Sequence, residues 1–186
     1  MIFTETALGG VVIVEPERQE DDRGFFARTF DQKEFDAQGL RSRFVQCNVS
    51  YNAWRGTLRG MHYQRAPRAE ARLVSCVRGA LYDAVVDLRP DSPTYCRWYG
   101  VELTASNYKM LYVPEGCAHG FQTLADDTVV FYQMSEFYDL ECAQGVRWDD
   151  PAFGIGWPLR PRLVSARDRS FAAFAPAARG ATGRSR

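Results

Sequence analysis

Arg72-Leu73-Val74-Ser75-Cys76-Val77-Arg78-Gly79-Ala80-Leu81-Tyr82-Asp83-Ala84-Val85-Val86-Asp87-Leu88 decides the fold class. Two runs rich in β-branched and apolar residues flank Arg78-Gly79, a tight-turn pair. The first run predicts a strand over Arg72 to Val77. The second, Ala80 to Leu88, alternates well enough for a strand with one face buried. Working outward, similar segments recur every ~8–12 residues, each bounded by turn signals. They are Phe44 to Tyr51, Thr57 to Gln64, Trp98 to Leu103, Met110 to Val113, Gly120 to Leu124 and Val129 to Ser135. Upstream, Gly10 to Glu15 is β-branched until Pro16, Asp21-Asp22-Arg23-Gly24 reads as a turn, and Phe25 to Phe30 is a further strand candidate. Asp31-Gln32-Lys33-Glu34 has the form of a capping box and opens a short helix that stops near Gly39. It is the one helix the sequence marks. There is no helix–strand alternation and no internal repeat, so the pattern predicts an all-β sandwich or barrel.

Length and composition bound the function. At 186 residues the chain is long enough for one domain with a sizeable core, expected over residues 1–170. After Phe171 the sequence becomes Ala/Gly/Arg-rich and aperiodic, so residues 171–186 are expected to form a mobile tail. Lysine plus arginine and aspartate plus glutamate both number 23, which leaves no global field to attract nucleic acid. Nearly all the positive charge is arginine, the side chain suited to bidentate contacts with phosphate and carboxylate; only Lys33 and Lys109 are lysines. The five cysteines are odd in number and lack CxxC spacing, so they read as free thiols in a reducing compartment. No apolar run approaches the ~20 residues that span a bilayer, and the N-terminus lacks a signal-peptide pattern. The expected location is cytoplasmic, with no membrane partner.

The chain has two histidines, each in a glycine-flanked cluster: Arg59-Gly60-Met61-His62-Tyr63-Gln64 and Pro114-Glu115-Gly116-Cys117-Ala118-His119-Gly120-Phe121. Histidine is the side chain whose ordinary pKa lies near neutrality, so a neutral-pH base has few alternatives here. A metal site is disfavoured, because His62 is followed two positions on by Gln64 rather than by a second histidine. A catalytic histidine needs an orienting carboxylate, and Asp168 and Asp83 are both candidates. Tyr132, on an apolar strand, is either core packing or a proton donor. Arg23 and Arg59 adjoin turn glycines, and Arg72 sits among apolar strand residues; an inward arginine must be paired by a ligand phosphate or by a structural carboxylate. Gln46 and Asn48 share one face of a strand, because strand side chains alternate with period two.

Together these segments resemble the dTDP-4-dehydrorhamnose 3,5-epimerase family. The resemblance runs from about Gly10 to Asp168. It rests on Asp22-Arg23-Gly24-Phe25-Phe26, Gln46-Cys47-Asn48-Val49-Ser50, Gly56 to Gln64, Asp83 to Arg89, Ser92-Pro93-Thr94, Pro114 to Phe121 and Arg147-Trp148-Asp149-Asp150-Pro151. It implies a cupin-type jelly roll (a double-stranded β-helix) with a few short peripheral helices, working as a homodimer without metal or other cofactor. The implied substrate is a dTDP-4-keto-6-deoxyhexose, epimerised at C3 and C5. By the same resemblance His62 is the base, Asp168 its orienting partner and Tyr132 the acid; enolate chemistry also needs a cation near the ketone oxygen, a part expected of Arg72. Arg23 and Arg59 would hold the diphosphate, Gln46 and Asn48 the nucleotide, His119 the substrate, and Tyr138 would stack on the base. Phe26, Arg28 and Arg167 complete the implied binding set. Three positions depart from the family's pattern: Arg72 replaces a lysine, Arg28 a glutamate, and a glutamate is missing near Ala143. They bear on substrate identity and on whether one carbon or both is inverted. The competing readings are a mono-epimerase on a related 4-keto sugar, a non-catalytic nucleotide-sugar binder, and a metal-dependent cupin.

Overall fold

The computed structural model describes residues 1–176. In chain order the elements are β1 (Ile2–Glu5), β2 (Val12–Glu15), β3 (Arg18–Asp21), β4 (Gly24–Ala27), α1 (Gln32–Ala37), β5 (Gln46–Asn52), β6 (Thr57–Gln64) and β7 (Arg72–Arg78). There follow β8 (Ala80–Asp87), β9 (Trp98–Thr104), β10 (Met110–Val113), β11 (Cys117–Thr123), β12 (Thr128–Met134), β13 (Ala143–Gly145), β14 (Leu163–Val164) and α2 (Ala166–Ser170). One antiparallel sheet runs β1-β2-β10-β7-β12-β5. The other runs β13-β6-β11-β8-β9, with β14 joining β6 in parallel. This is the jelly roll expected from the resemblance. β3 and β4 form a separate two-stranded hairpin.

The two sheets close over a core drawn from both: Ile13, Val74, Cys76, Leu111 and Val130 from the first, Leu81, Val85, Leu103, Cys117 and Phe121 from the second. Alternation along β7 and β8 places these residues inward, and each fully buried Leu or Val contributes roughly 1.5–3 kcal/mol. The outer faces are covered by chain that folds back. Phe35, the buried residue of α1, packs with Phe3, Phe30 and Phe44 beside Leu73 and Tyr112 of the first sheet. Met61, Ala84, Val86 and Ala118 on the outside of the second sheet meet Val146, Phe153, Trp157 and Phe174.

Several boundaries differ from the sequence reading. β4 stops at Ala27, because Arg28 turns to pair with Asp31 at 2.9 Å ahead of the helix. Asp31 caps α1 through the N–H groups of Lys33 and Glu34, but the box is half closed: Glu34 accepts the Met1 amino group at 2.6 Å instead of reaching back. α2 was not anticipated. Packing also continues past residue 170, where the sequence put the domain's end. Phe171 stands edge-on to His62, and Phe174 packs on Phe153 with its N–H on Asp150. The rest of the expected tail, residues 177–186, lies outside the described residues.

Asp87 ties the loop after β8 to the sheet. It is fully buried and accepts hydrogen bonds from Arg89, Ser92 and Thr94. Burial pushes its carboxyl up, but these donors outweigh burial and bring it from 3.8 down to about 2. The folded state therefore holds the carboxylate as the stronger acid. That stability is fully present above about pH 4 and is lost as pH falls through about 2. Asp87→Ala is expected to cost about 2–4 kcal/mol, because it removes the acceptor and strands the donors. Urea titration at neutral pH checks the magnitude. Repeating it down to pH 2 should show the wild type losing its advantage over the variant.

Candidate active site

The glycine-flanked histidine clusters are paired strands. β6 and β11 are antiparallel, and His62 stands directly opposite His119. Between that pair and the next, Arg59 opposite Phe121, two steps along β11 match three along β6. The extra residue is a β-bulge at Gly60-Met61. It has a direct consequence for the site. With strict alternation Arg59 and His62, three apart, would face opposite sides of the sheet. The bulge turns both into the barrel, where they line the same cavity, while Met61 is sent to the outer cluster.

That cavity, of about 230 Å³, is lined by Arg59, His62 and His119 from the second sheet, Ser50, Arg72 and Tyr132 from the first, and Ser165, Arg167 and Asp168 from the chain around α2. His62 Nε2 lies 2.6 Å from Asp168 Oδ1. The other carboxylate oxygen accepts the Gly60 N–H at 3.2 Å. Ser165 caps α2 by accepting the Asp168 N–H, so a single short helical turn aims the carboxylate. Burial pushes the Asp168 carboxyl up, but His62, the Gly60 N–H and Ser165 together hold it below the usual carboxylate range. Asp168 therefore keeps its charge and accepts the Nε2 proton, which leaves a lone pair on Nδ1.

His119 has its own carboxylate. Its Nε2 is 2.6 Å from Asp83 Oδ1, with Asp83 fully buried. The approach is off the line of the ring N–H, so the contact is a close polar pair and not a directed hydrogen bond. The residues alone left both Asp168 and Asp83 open as partners of His62, and the resemblance implied Asp168; the fold gives one carboxylate to each histidine. Arg72 Nη1 lies 3.4 Å from His119 Nδ1, and Arg72 is ion-paired with Glu70. Tyr132 belongs to the sheet opposite His62, and among the described residues none hydrogen-bonds its hydroxyl. Arg59 is held by Asn52, whose amide oxygen accepts from Nε at 2.7 Å.

The remaining residues singled out by sequence fall into two groups. Gln46 and Asn48 lie on the same face of β5 as Ser50, but they are engaged locally. Gln46 Nε2 donates to Asn48 Oδ1 at 3.3 Å, Gln46 Oε1 accepts the Tyr138 N–H, and Asn48 donates to Met134 Sδ. Tyr138 itself is half exposed. Arg23, Phe26 and Arg28 do not line this cavity at all. They stand on or beside the β3–β4 hairpin, with Phe26 69% exposed and the Arg23 side chain 89% exposed. Among the described residues no group of three or more histidine, cysteine or acidic side chains gathers as a metal cluster.

Sequence reasoning missed Asn52, Glu70, Ser165 and Phe171. Only Ser165 carried a signal: Ser165-x-x-Asp168 is a helix-start pattern, obscured because no apolar run follows it. Phe171 shields the flank of His62, with its ring seated where Gly145 offers no Cβ.

Residues 5–176 match the family model for dTDP-4-dehydrorhamnose 3,5-epimerase. A protein of that name from Methanothermobacter thermautotrophicus is 44% identical over 91% of this chain and 92% of its own. The crystal structure of a dTDP-4-dehydrorhamnose 3,5-epimerase from Elizabethkingia anophelis superposes with a TM-score of 0.90 at 39% identity, covering 94% of this chain and 96% of that one. That of Bacillus anthracis, with TDP and pyrophosphate bound, gives 0.89 at 41%, covering 93% and 99%.

Proposed function

This chain belongs to the dTDP-4-dehydrorhamnose 3,5-epimerase family and is an isomerase, and from that premise we propose how its side chains invert C3 and C5 of a dTDP-linked 4-keto-6-deoxyhexose. The observation that carries the proposal is the single cavity in which His62, held by Asp168, faces Tyr132 from the opposing sheet. A C4 ketone acidifies the hydrogens on both neighbouring carbons. His62 Nδ1 takes one of them, and the electrons move onto the ketone oxygen as an enolate. Tyr132 returns a proton on the other face, which inverts the carbon. His62 ends the step protonated and Tyr132 deprotonated, and solvent restores both. C3 and C5 flank the same carbonyl, so one cationic donor at that oxygen serves both steps. Arg72 takes this part, and a fixed donor there is worth about 3–4 kcal/mol. Arginine keeps the charge of the family's lysine but does not shuttle a proton. Arg59 and Arg167 suit the diphosphate, and Gln46, Asn48 and Tyr138 the nucleotide beyond it.

The exposed hairpin favours a homodimer. Arg23, Phe26 and Arg28 reach a substrate only if they enter a neighbouring copy's cavity. Val49, Tyr51 and Val77, exposed on the outer face of the first sheet, offer an apolar surface for that copy. Sedimentation equilibrium showing a monomer at micromolar concentration would remove this part of the reading. The free cysteines favour a reducing compartment such as the cytoplasm, and no helix among the described residues is long and apolar enough to cross a membrane.

Incubation with dTDP-4-keto-6-deoxy-D-glucose in deuterated water, followed by NMR, tests the proposal. Deuterium at both C3 and C5 is expected. Deuterium at one carbon would make the protein a mono-epimerase, and bound substrate without exchange would make it a binder.

A further inference from the structure

We infer that Glu70 is a positioning residue for the enolate-oxygen donor: it grips one edge of the Arg72 guanidinium and thereby keeps the opposite nitrogen, Nη1, on the His119 side of the cavity. The inference rests on the epimerase reading above. Glu70 lies two residues ahead of Arg72, the first residue of β7, and the two side chains meet in an ion pair. Nε and Nη2 form one edge of the planar guanidinium, and both donate to the same oxygen, Glu70 Oε1, with Nε at 2.9 Å. Nη1, on the far side, is the nitrogen 3.4 Å from His119 Nδ1. Arg72 lines the cavity and Glu70 does not, so the carboxylate acts from behind.

Stability alone does not account for this pair. The Glu70 side chain is 2% exposed and that of Arg72 13%. A buried ion pair is often no more stable than apolar residues of the same volume. Here one carboxylate oxygen, Oε2, is buried with no partner among the described residues, an arrangement that costs free energy and is unfavourable unless the geometry serves another purpose. Preorganisation is that purpose. A donor stabilises an enolate in proportion to how firmly it is aimed before charge develops, and arginine has several rotatable bonds to restrain. His119 contributes to the same restraint: Nδ1 accepts from Arg72, which leaves the ring proton on Nε2 beside Asp83.

The test compares Glu70→Ala with the isosteric Glu70→Gln, whose amide oxygen can still accept from Nε and Nη2. Two readouts are used: steady-state kinetics of C3/C5 exchange, and the 15N–1H signal of the Arg72 Nε–H, assigned by its loss in Arg72→Lys. In Glu70→Ala, kcat should fall on the order of 10- to 100-fold with KM changed less than about threefold, and the Nε–H signal should vanish through fast exchange with water. Glu70→Gln should keep the signal and recover kcat to within about threefold of wild type. Unchanged kcat in Glu70→Ala overturns the inference. So does Glu70→Gln as impaired as Glu70→Ala, or an Nε–H signal that persists in Glu70→Ala. A wild-type protein whose Nε–H depends on Glu70 but which exchanges no substrate hydrogen would overturn the epimerase reading, while leaving the grip of Glu70 on Arg72 supported.

Discussion

His62→Asn is expected to lower kcat by on the order of 10³-fold while leaving nucleotide affinity within about twofold of wild type. The asparagine side chain is shorter than the ring and does not reach the Nε2 position, but Asp168 retains the Gly60 N–H, so the fold is expected to hold. What the substitution removes is the basic lone pair, and nothing else in asparagine accepts a proton from carbon. Isothermal titration with dTDP and deuterium incorporation at C3 and C5 separate binding from chemistry. Asp168→Asn should also lose most of the activity, because an amide can turn an N–H toward the ring and no longer enforces the tautomer. Groups that act as one unit are strongly non-additive, so the double variant should be no slower than His62→Asn alone. Substantial exchange remaining in His62→Asn would move the base to His119, the other imidazole in the cavity with a carboxylate 2.6 Å away.

The parts of this site legible in the sequence are those set by local pattern. The extent of β6, Thr57 to Gln64, and of β10, Met110 to Val113, follows from composition and turn signals, and the inward face of β5 follows from period-two alternation. Two histidines in a chain with few neutral-pH bases pointed to a site before any fold was known. The rest depended on contacts between distant segments. Asp168 meets His62 across 106 positions, through a helix of five residues too short to show periodicity. Nothing in the sequence singles out Glu70, and its pairing shows only where the chain entering β7 sets it beside Arg72. Gln46 and Asn48 share one face of β5 as alternation predicts, but their contacts with Met134 and Tyr138 depend on how β12 and the chain after it lie against β5. Arg23 and Phe26 belong to a segment that carries the resemblance, but the β3–β4 hairpin that bears them adds no residue to the lining of the cavity, which the sequence alone did not reveal.

Gly60→Ala is expected to destabilise the fold by about 3–5 kcal/mol, lower Tm by roughly 10 °C, and abolish exchange in whatever remains folded. Gly60 has φ +117°, a conformation that L side chains rarely adopt. A Cβ there would lie 2.6 Å from Gly120 Cα and 2.8 Å from the His119 carbonyl oxygen. Both are backbone atoms and cannot rotate aside, so β6 and β11 would have to part at the bulge. Gly24→Ala supplies the comparison. Its φ is +126°, but nothing lies within 4 Å of the added carbon, so it should cost only the backbone strain, about 1–2 kcal/mol. The difference between the two variants, read by urea titration, isolates the clash between strands. Equal losses would mean that the close approach of the glycines does not limit stability. The effect on catalysis follows from alternation. Arg59 and His62 share a cavity only because the bulge adds one residue between them. A strand that relaxes the clash by giving up the bulge sends one of the two to the outer face, and a protein that still folds then keeps Arg59 or His62 in the cavity, but not both.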